Sequence, residues 1–292
     1  MKRLIVLVLI ALATASSNAS YPEQQMPMSQ SYTQSLDIQH YVKDKEIKVL
    51  NAGEQEFITL IKEETSGFPR GIAFIIPEVN QSISRQASMN SVYDQLNNYG
   101  WTSLLLTMPS RDVLSETVNL IEEQAKVTPD QDTNLSVKAS HTAQSLPTPF
   151  IENVEADIEK RINAAWQLAE QYPGFFLFIC QGRSCGWVTS LIQQQRLKAP
   201  DALVMLSAHL PQSDLNDNFS LQLSKTNFPV LDLYKDLDSP WVTEHILQRK
   251  KHARKNYKTD YRQRKVNTGF GYQAQQQRTI KEIYGFLTSV GM

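Results

Sequence analysis

Apolar residues in this chain gather in short unbroken runs, and the segments between the runs carry apolar positions three and four apart. The runs are residues 71–76, 101–106, 174–180, 202–206 and 229–234. Each has the length of a strand and, apart from Thr102, Ser103 and Asp232, is apolar along its course, as suits a strand buried on both faces. Residues 86–99 place Met89, Val92 and Leu96 at helical spacing, and Gly100 ends that helix. Residues 151–171 place Val154, Ile158, Ile162, Ala165 and Ala169 on one side of a longer helix. Further helices are predicted over 112–125, 240–256 and 273–288, with a last strand near 261–267. Residues 45–64 alternate apolar and polar around Asn51-Ala52-Gly53, the pattern of a hairpin whose second strand is 56–61. Strand and helix then alternate to the end. This predicts an α/β fold with a mostly parallel central sheet, helices on both faces and an N-terminal β-hairpin.

Two stretches have no period. Residues 20–37 are rich in Gln, Ser, Pro and Met and read as a flexible N-terminus. Residues 127–149 are polar and hold three prolines, and read as a mobile insertion, a flap over the sheet edge. The domain itself is expected over 38–292. Ahead of it, Met1-Lys2-Arg3 and the apolar stretch from Leu4 to Ala15 are followed by small residues up to Ala19. That is the form of a cleavable secretory signal peptide over 1–19, with an apolar part too short to span a bilayer. The expected location is periplasmic or secreted.

Charge excludes little. There are 29 Lys and Arg against 30 Asp and Glu, and removing Lys2 and Arg3 leaves 27 against 30. Such a balance does not point to nucleic acid. Cys180 and Cys185 are the only cysteines. Oxidation after export makes a bridge conceivable, but across a sharp turn the reading favours two buried free thiols.

The candidate chemistry lies at Gly182-Arg183-Ser184-Cys185-Gly186. It has the G-x-S-x-G form, it follows the apolar run 174–180, and it precedes a segment from Trp187 to Gln195 that can run as a helix. Strand, tight turn and helix are the setting of a nucleophile elbow, in which the turn lifts a serine Oγ above the sheet edge. Gly182 and Gly186 are then expected to keep the turn free of colliding Cβ atoms.

With this elbow between the third and fourth parallel strands, the chain resembles the α/β-hydrolase superfamily over about residues 45–290. More closely it resembles a family of exported bacterial α/β-hydrolase-like proteins, a domain of unknown function. The matching pieces are Tyr99-Gly100-Trp101-Thr102 leading on to Pro109, the string from Pro229 to Tyr234 (PVLDLY), and Tyr261-Arg262-Gln263. The resemblance implies Ser184 as nucleophile and the backbone N–H of Cys185 as one oxyanion donor. It draws a second donor from the loop of Pro77, Glu78, Val79, Asn80 and Gln81, with Val79 at its centre. The acid belongs after the strand 229–234, where Asp238 has the best offset and Asp236 is its neighbour. Asp232, on the strand itself, reads as structural. The base is expected from the loop 266–272, which contains no histidine.

Of the five histidines, His40, His141, His209, His245 and His252, only His209 follows a central strand on the edge that carries Ser184. It is the replacement base. The histidines are scattered and no metal-binding spacing occurs, so neither a metal nor another cofactor is expected. Residues 249–265 hold nine Lys and Arg with Asp260 as the one acid, and Lys250, Lys251, Arg254, Lys255 and Lys258 share a helical face. Such a face suits weak association with an anionic envelope surface. Two classes of function remain. One is an exported serine hydrolase acting on a small acyl or ester substrate through Ser184. The other is a catalytically incomplete hydrolase fold that works by binding, at the envelope.

Overall fold

The computed structural model describes residues 42, 46–80, 87–110, 147–267 and 272–292. The strands β1 (Ile47–Ala52) and β2 (Gln55–Lys62) form the expected hairpin, and β3 (Gly71–Ile76) opens the parallel part. There follow α1 (Ala87–Leu96), β4 (Trp101–Leu106), α2 (Thr148–Ala169), β5 (Phe175–Gln181) and α3 (Arg183–Gln193). The chain closes with β6 (Ala202–Leu206), α4 (Ser213–Leu223), β7 (Val230–Lys235), α5 (Pro240–Thr243), α6 (Ile246–Lys255), β8 (Tyr261–Val266) and α7 (Tyr272–Ser289). The helix expected over 151–171 starts three residues earlier, on Pro147 as its N-cap residue. The one expected over 240–256 is two helices. The expectations for 1–37, 112–125 and 127–146 lie outside the described residues.

One sheet of eight strands runs in the order β1-β2-β4-β3-β5-β6-β7-β8. β2 pairs antiparallel with both β1 and β4, and the pairs from β4 to β8 are parallel. Alternate residues of the apolar strands feed two cores. Ile72, Phe74, Ile76 and Phe178 face α2 and α3, packing with Ile158, Ile162, Val188 and Leu191. Ala73, Ile75, Leu177 and Ile179 face the other way, against Met89, Val92, Ile283 and Phe286 of α1 and α7. Burial on both faces is why these strands read as unbroken apolar runs. β3 and β5 are neighbours although β4 separates them in sequence, so the connections leave this pair in opposite directions. Ligand crevices of open α/β sheets form at the carboxyl ends of strands at such a switch point.

The strings PVLDLY and Tyr261-Arg262-Gln263 meet in the core. Asp232 and Arg249 have no exposed side-chain surface, and Arg249 Nε donates to Asp232 Oδ2 at 2.8 Å. Tyr261 Oη and Gln263 Nε2 donate to the same oxygen at 2.6 and 3.0 Å, and Arg249 Nη1 donates to the Ala208 carbonyl at 3.2 Å. Burial opposes the Arg249 charge, but Asp232 and Tyr261 together outweigh it and hold the guanidinium above its ordinary pKa. Burial and then Asp232 push the Tyr261 phenol far up. Asp232 is therefore structural, as its place on the strand implied. Lys258 leaves the expected basic face: it lies beyond α6, its ammonium donating to the carbonyls of Thr226 and Phe228, while Arg249, counted in the basic stretch but not on that face, is sealed.

Candidate functional site

The strand β5 runs one residue further than its apolar stretch, through the polar Gln181, and α3 begins at Arg183. The turn between them is a single residue, Gly182, with φ 57° and ψ −130°. That conformation strains any residue with a Cβ, and it is where the exposed side chain of an elbow stands. The turn is therefore centred two residues before the expected serine. Gly182 occupies the nucleophile's place and Ser184 is already inside the first turn of α3.

Ser184 is fully buried. Its Oγ donates to the Pro77 carbonyl at 2.6 Å and accepts the Val79 N–H at 3.1 Å. These bonds tie the loop after β3 to the elbow helix. Both expected oxyanion donors are engaged as well: Val79 N–H by Ser184, and Cys185 N–H by the Gly182 carbonyl at 3.3 Å. A Cβ on Gly186 would lie 2.6 Å from Leu210 Cδ2, so the space there is limited by a side chain after β6 and not by the neighbouring backbone of the turn. Cys180 and Cys185 form a disulfide, which corrects the expectation of free thiols. The same sharp turn that argued against a bridge folds the two Cα atoms to 5.1 Å, inside the range a disulfide spans.

The register Ile76↔Cys180 sets the two strand ends side by side, so Glu78, two residues past β3, meets Gly182, two residues past Cys180. An ideal Cβ on Gly182 would lie 2.6 and 2.8 Å from the Glu78 carboxylate oxygens. The carboxylate fills the space a side chain at 182 would use. Arg183 Nε holds it at 2.9 Å, and Arg183 Nη2 also donates to the Val79 carbonyl at 3.2 Å. His209 completes the cluster. Its backbone N–H bonds the Gly182 carbonyl at 3.3 Å, and its Nε2 lies 3.9 Å from Glu78 Oε1. His209 Nδ1 is 3.0 Å from the Ser207 carbonyl.

Asp238 reaches the same edge but does not orient His209 directly. Its Oδ2 accepts from Ser207 Oγ at 2.7 Å and from the Lys235 N–H at 2.9 Å. Ser207, held at φ 53°, stands between the two. Asp236 pairs with Lys265 at 2.7 Å. The histidine-free loop 268–271 lies outside the described residues. The structure thus brings Gly182, His209 and Asp238 to one edge and removes Ser184, Val79 and Cys185 from any exposed role. Sequence reasoning missed Glu78, Arg183 and Ser207. The available signal was the polar pair Gln181-Gly182 directly after the apolar run, which allows the strand to end later and the turn to fall on the glycine.

Among the described residues no group of His, Cys, Asp and Glu could hold a metal ion, and no helix is long and apolar enough to cross a membrane.

Solved structures share this fold at low identity. The dienelactone hydrolase of Anabaena variabilis matches with a TM-score of 0.54 and 10% identity, over 83% of this chain and 96% of its own. Est1E from Butyrivibrio proteoclasticus matches at 0.56 and 11%, over 84% and 98%. Esterase 2 of Thermogutta terrifontis, solved phosphoramylated by tabun, matches at 0.55 and 9%, over 86% and 97%. No curated protein matches by sequence. The sheet order and the elbow are those of an α/β-hydrolase fold, and the chain, matched from residue 4 to 289, belongs to the DUF3530 family, described as a protein of unknown function.

Proposed function

We propose that this chain is an exported hydrolase-fold protein that has given up acyl transfer and works by binding at the cell envelope. One observation carries the reading: the strained elbow position is Gly182, with the Glu78 carboxylate packed where a nucleophile would stand. Glycine offers no hydroxyl, and the nearby Ser184 hydroxyl is sealed between Pro77 and Val79. A serine without a base at its Oγ is a poor nucleophile at neutral pH. The leader-like residues 1–19 and the Cys180–Cys185 bridge support export to an oxidising compartment.

The test is covalent labelling with a fluorophosphonate, together with turnover of p-nitrophenyl esters. An organophosphorus agent modifies the Thermogutta esterase that shares this fold, so the reagent suits the question. Wild type and Ser184→Ala are both expected to stay unlabelled and inactive. Labelling of the wild type that vanishes in Ser184→Ala would restore the serine-hydrolase reading.

A further inference from the structure

The helix α6 carries a surface that neither the fold nor the elbow uses. Ile246, Arg249 and Ala253 are its buried side. The opposite side presents Lys250, Arg254, Leu247, Lys251 and Lys255 in angular order, all exposed. Leu247, at 76% exposure, stands in the middle of four cations. No acid occurs within the helix. Of the nearby acids, Asp217 accepts from Gln248 on the flank at 2.8 Å and Asp260 pairs with Lys258 at 2.9 Å, while the exposed Glu244, two residues before the helix, stands against four cations and leaves the face net positive. Just past the helix, Tyr257 is 89% exposed and is held at φ 53°. That residue closes the helix, its N–H on the Arg254 carbonyl at 3.2 Å and the Lys258 N–H on the Ala253 carbonyl at 2.9 Å, and a bulky residue there costs free energy that glycine would not. Beside it an open recess of about 630 Å³ is lined by Lys225, Lys255, Tyr257 and Asp260, with Lys258 already paired to Asp260.

We infer that this face docks on an anionic phospholipid bilayer, with Lys250, Lys251, Arg254 and Lys255 on the headgroup phosphates and Leu247 and Tyr257 entering the interface. Charge complementarity selects an anionic partner. The two exposed apolar side chains select lipid over an acidic polymer. An apolar group inside a basic face gains only where it can leave water, and tyrosine sits well at headgroup depth. This docking deepens the envelope-binding half of the proposed function and rests on it, but the surface shares no residue with the elbow, so its failure is distinguishable from a failure of the lost-catalysis reading.

Sedimentation of the full chain with vesicles tests the proposal. Wild type and variants carry the same N-terminal residues, whose own affinity for lipid then cancels. Binding is expected to vesicles containing phosphatidylglycerol, to weaken with salt, and to be far weaker on phosphatidylcholine alone. Replacing Lys250, Lys251, Arg254 and Lys255 by Gln should lower partitioning about fivefold per charge, roughly several-hundred-fold together. Leu247→Ser with Tyr257→Gly should lower it about tenfold or more, while the glycine relieves strain and leaves thermal stability at or above wild type. Unchanged binding of the four-charge variant, or equal wild-type binding to neutral vesicles, would overturn the proposal. So would an apolar variant that binds vesicles and dextran sulfate as wild type does, which would make the partner an acidic polymer.

Discussion

Two clusters of charged side chains lie inside this protein, and they differ in what their charges still offer. Asp232 and Arg249 are sealed at 0% exposure, and Asp232 Oδ2 alone takes Arg249, Tyr261 and Gln263. Their hydrogen bonds all run between β7, β8, α6 and the chain after β6. Glu78, Arg183 and His209 sit at the carboxyl edge of the sheet with side-chain exposures of 12, 26 and 15%. The first cluster is a clamp whose capacity is spent on the fold. The second keeps charge in reach of solvent at the place where sheets of this type bind ligands. Burial and a full set of partners therefore separate a structural ion pair from a candidate site better than residue type does.

The comparison breaks most visibly at Asp232. Asp232→Ala strands a buried guanidinium and is expected to cost about 3–5 kcal/mol, measured by urea unfolding. A loss near that of a surface pair would mean the clamp is not sealed. Next is the elbow. Gly182→Ser introduces a Cβ at a strained φ/ψ and against Glu78, with an expected cost of about 1–3 kcal/mol. Adding Glu78→Ala should return the steric part, so a double-mutant cycle should show coupling of about 0.5–3 kcal/mol. Strict additivity would remove Glu78 from the space above Gly182.

Alkaline pH sharpens the contrast further. Burial and Asp232 keep the Tyr261 phenol protonated in the fold, whereas an unfolded tyrosine ionises near pH 10. The unfolded chain then binds fewer protons, so stability is full below pH 10 and falls above it. The expected slope is about 1.4 kcal/mol per pH unit from this group, and Tyr261→Phe should flatten it. The smallest effect is expected at the rim. Lys265→Ala breaks a half-exposed pair with Asp236 and should change stability by less than about 1 kcal/mol.

Much of the fold was legible because apolar runs record burial directly. The hairpin turned at Gly53, the strand at 71–76 and the helix ended by Gly100 all follow from local pattern. The elbow was legible as a place but not in register. G-x-S-x-G centres on Ser184, while the single polar residue Gln181 lets β5 run on and puts the turn on Gly182. Arg249 was counted among the nine cations of 249–265, off the face that Lys250 shares, but nothing local names its partner. What draws it inward is Asp232, seventeen positions away on β7.

The sequence by itself determined the alternation of strand and helix, the two-sided burial of the sheet and the absence of histidine from 266–272, since each is a property of consecutive residues. The tertiary structure alone decided which residue stands at the strained turn, that Glu78 fills the space above it, and that the two cysteines join. The physical reason is adjacency: β3 and β5 are neighbours in the sheet although nearly a hundred residues separate them along the chain. Only that pairing sets Glu78 beside Gly182.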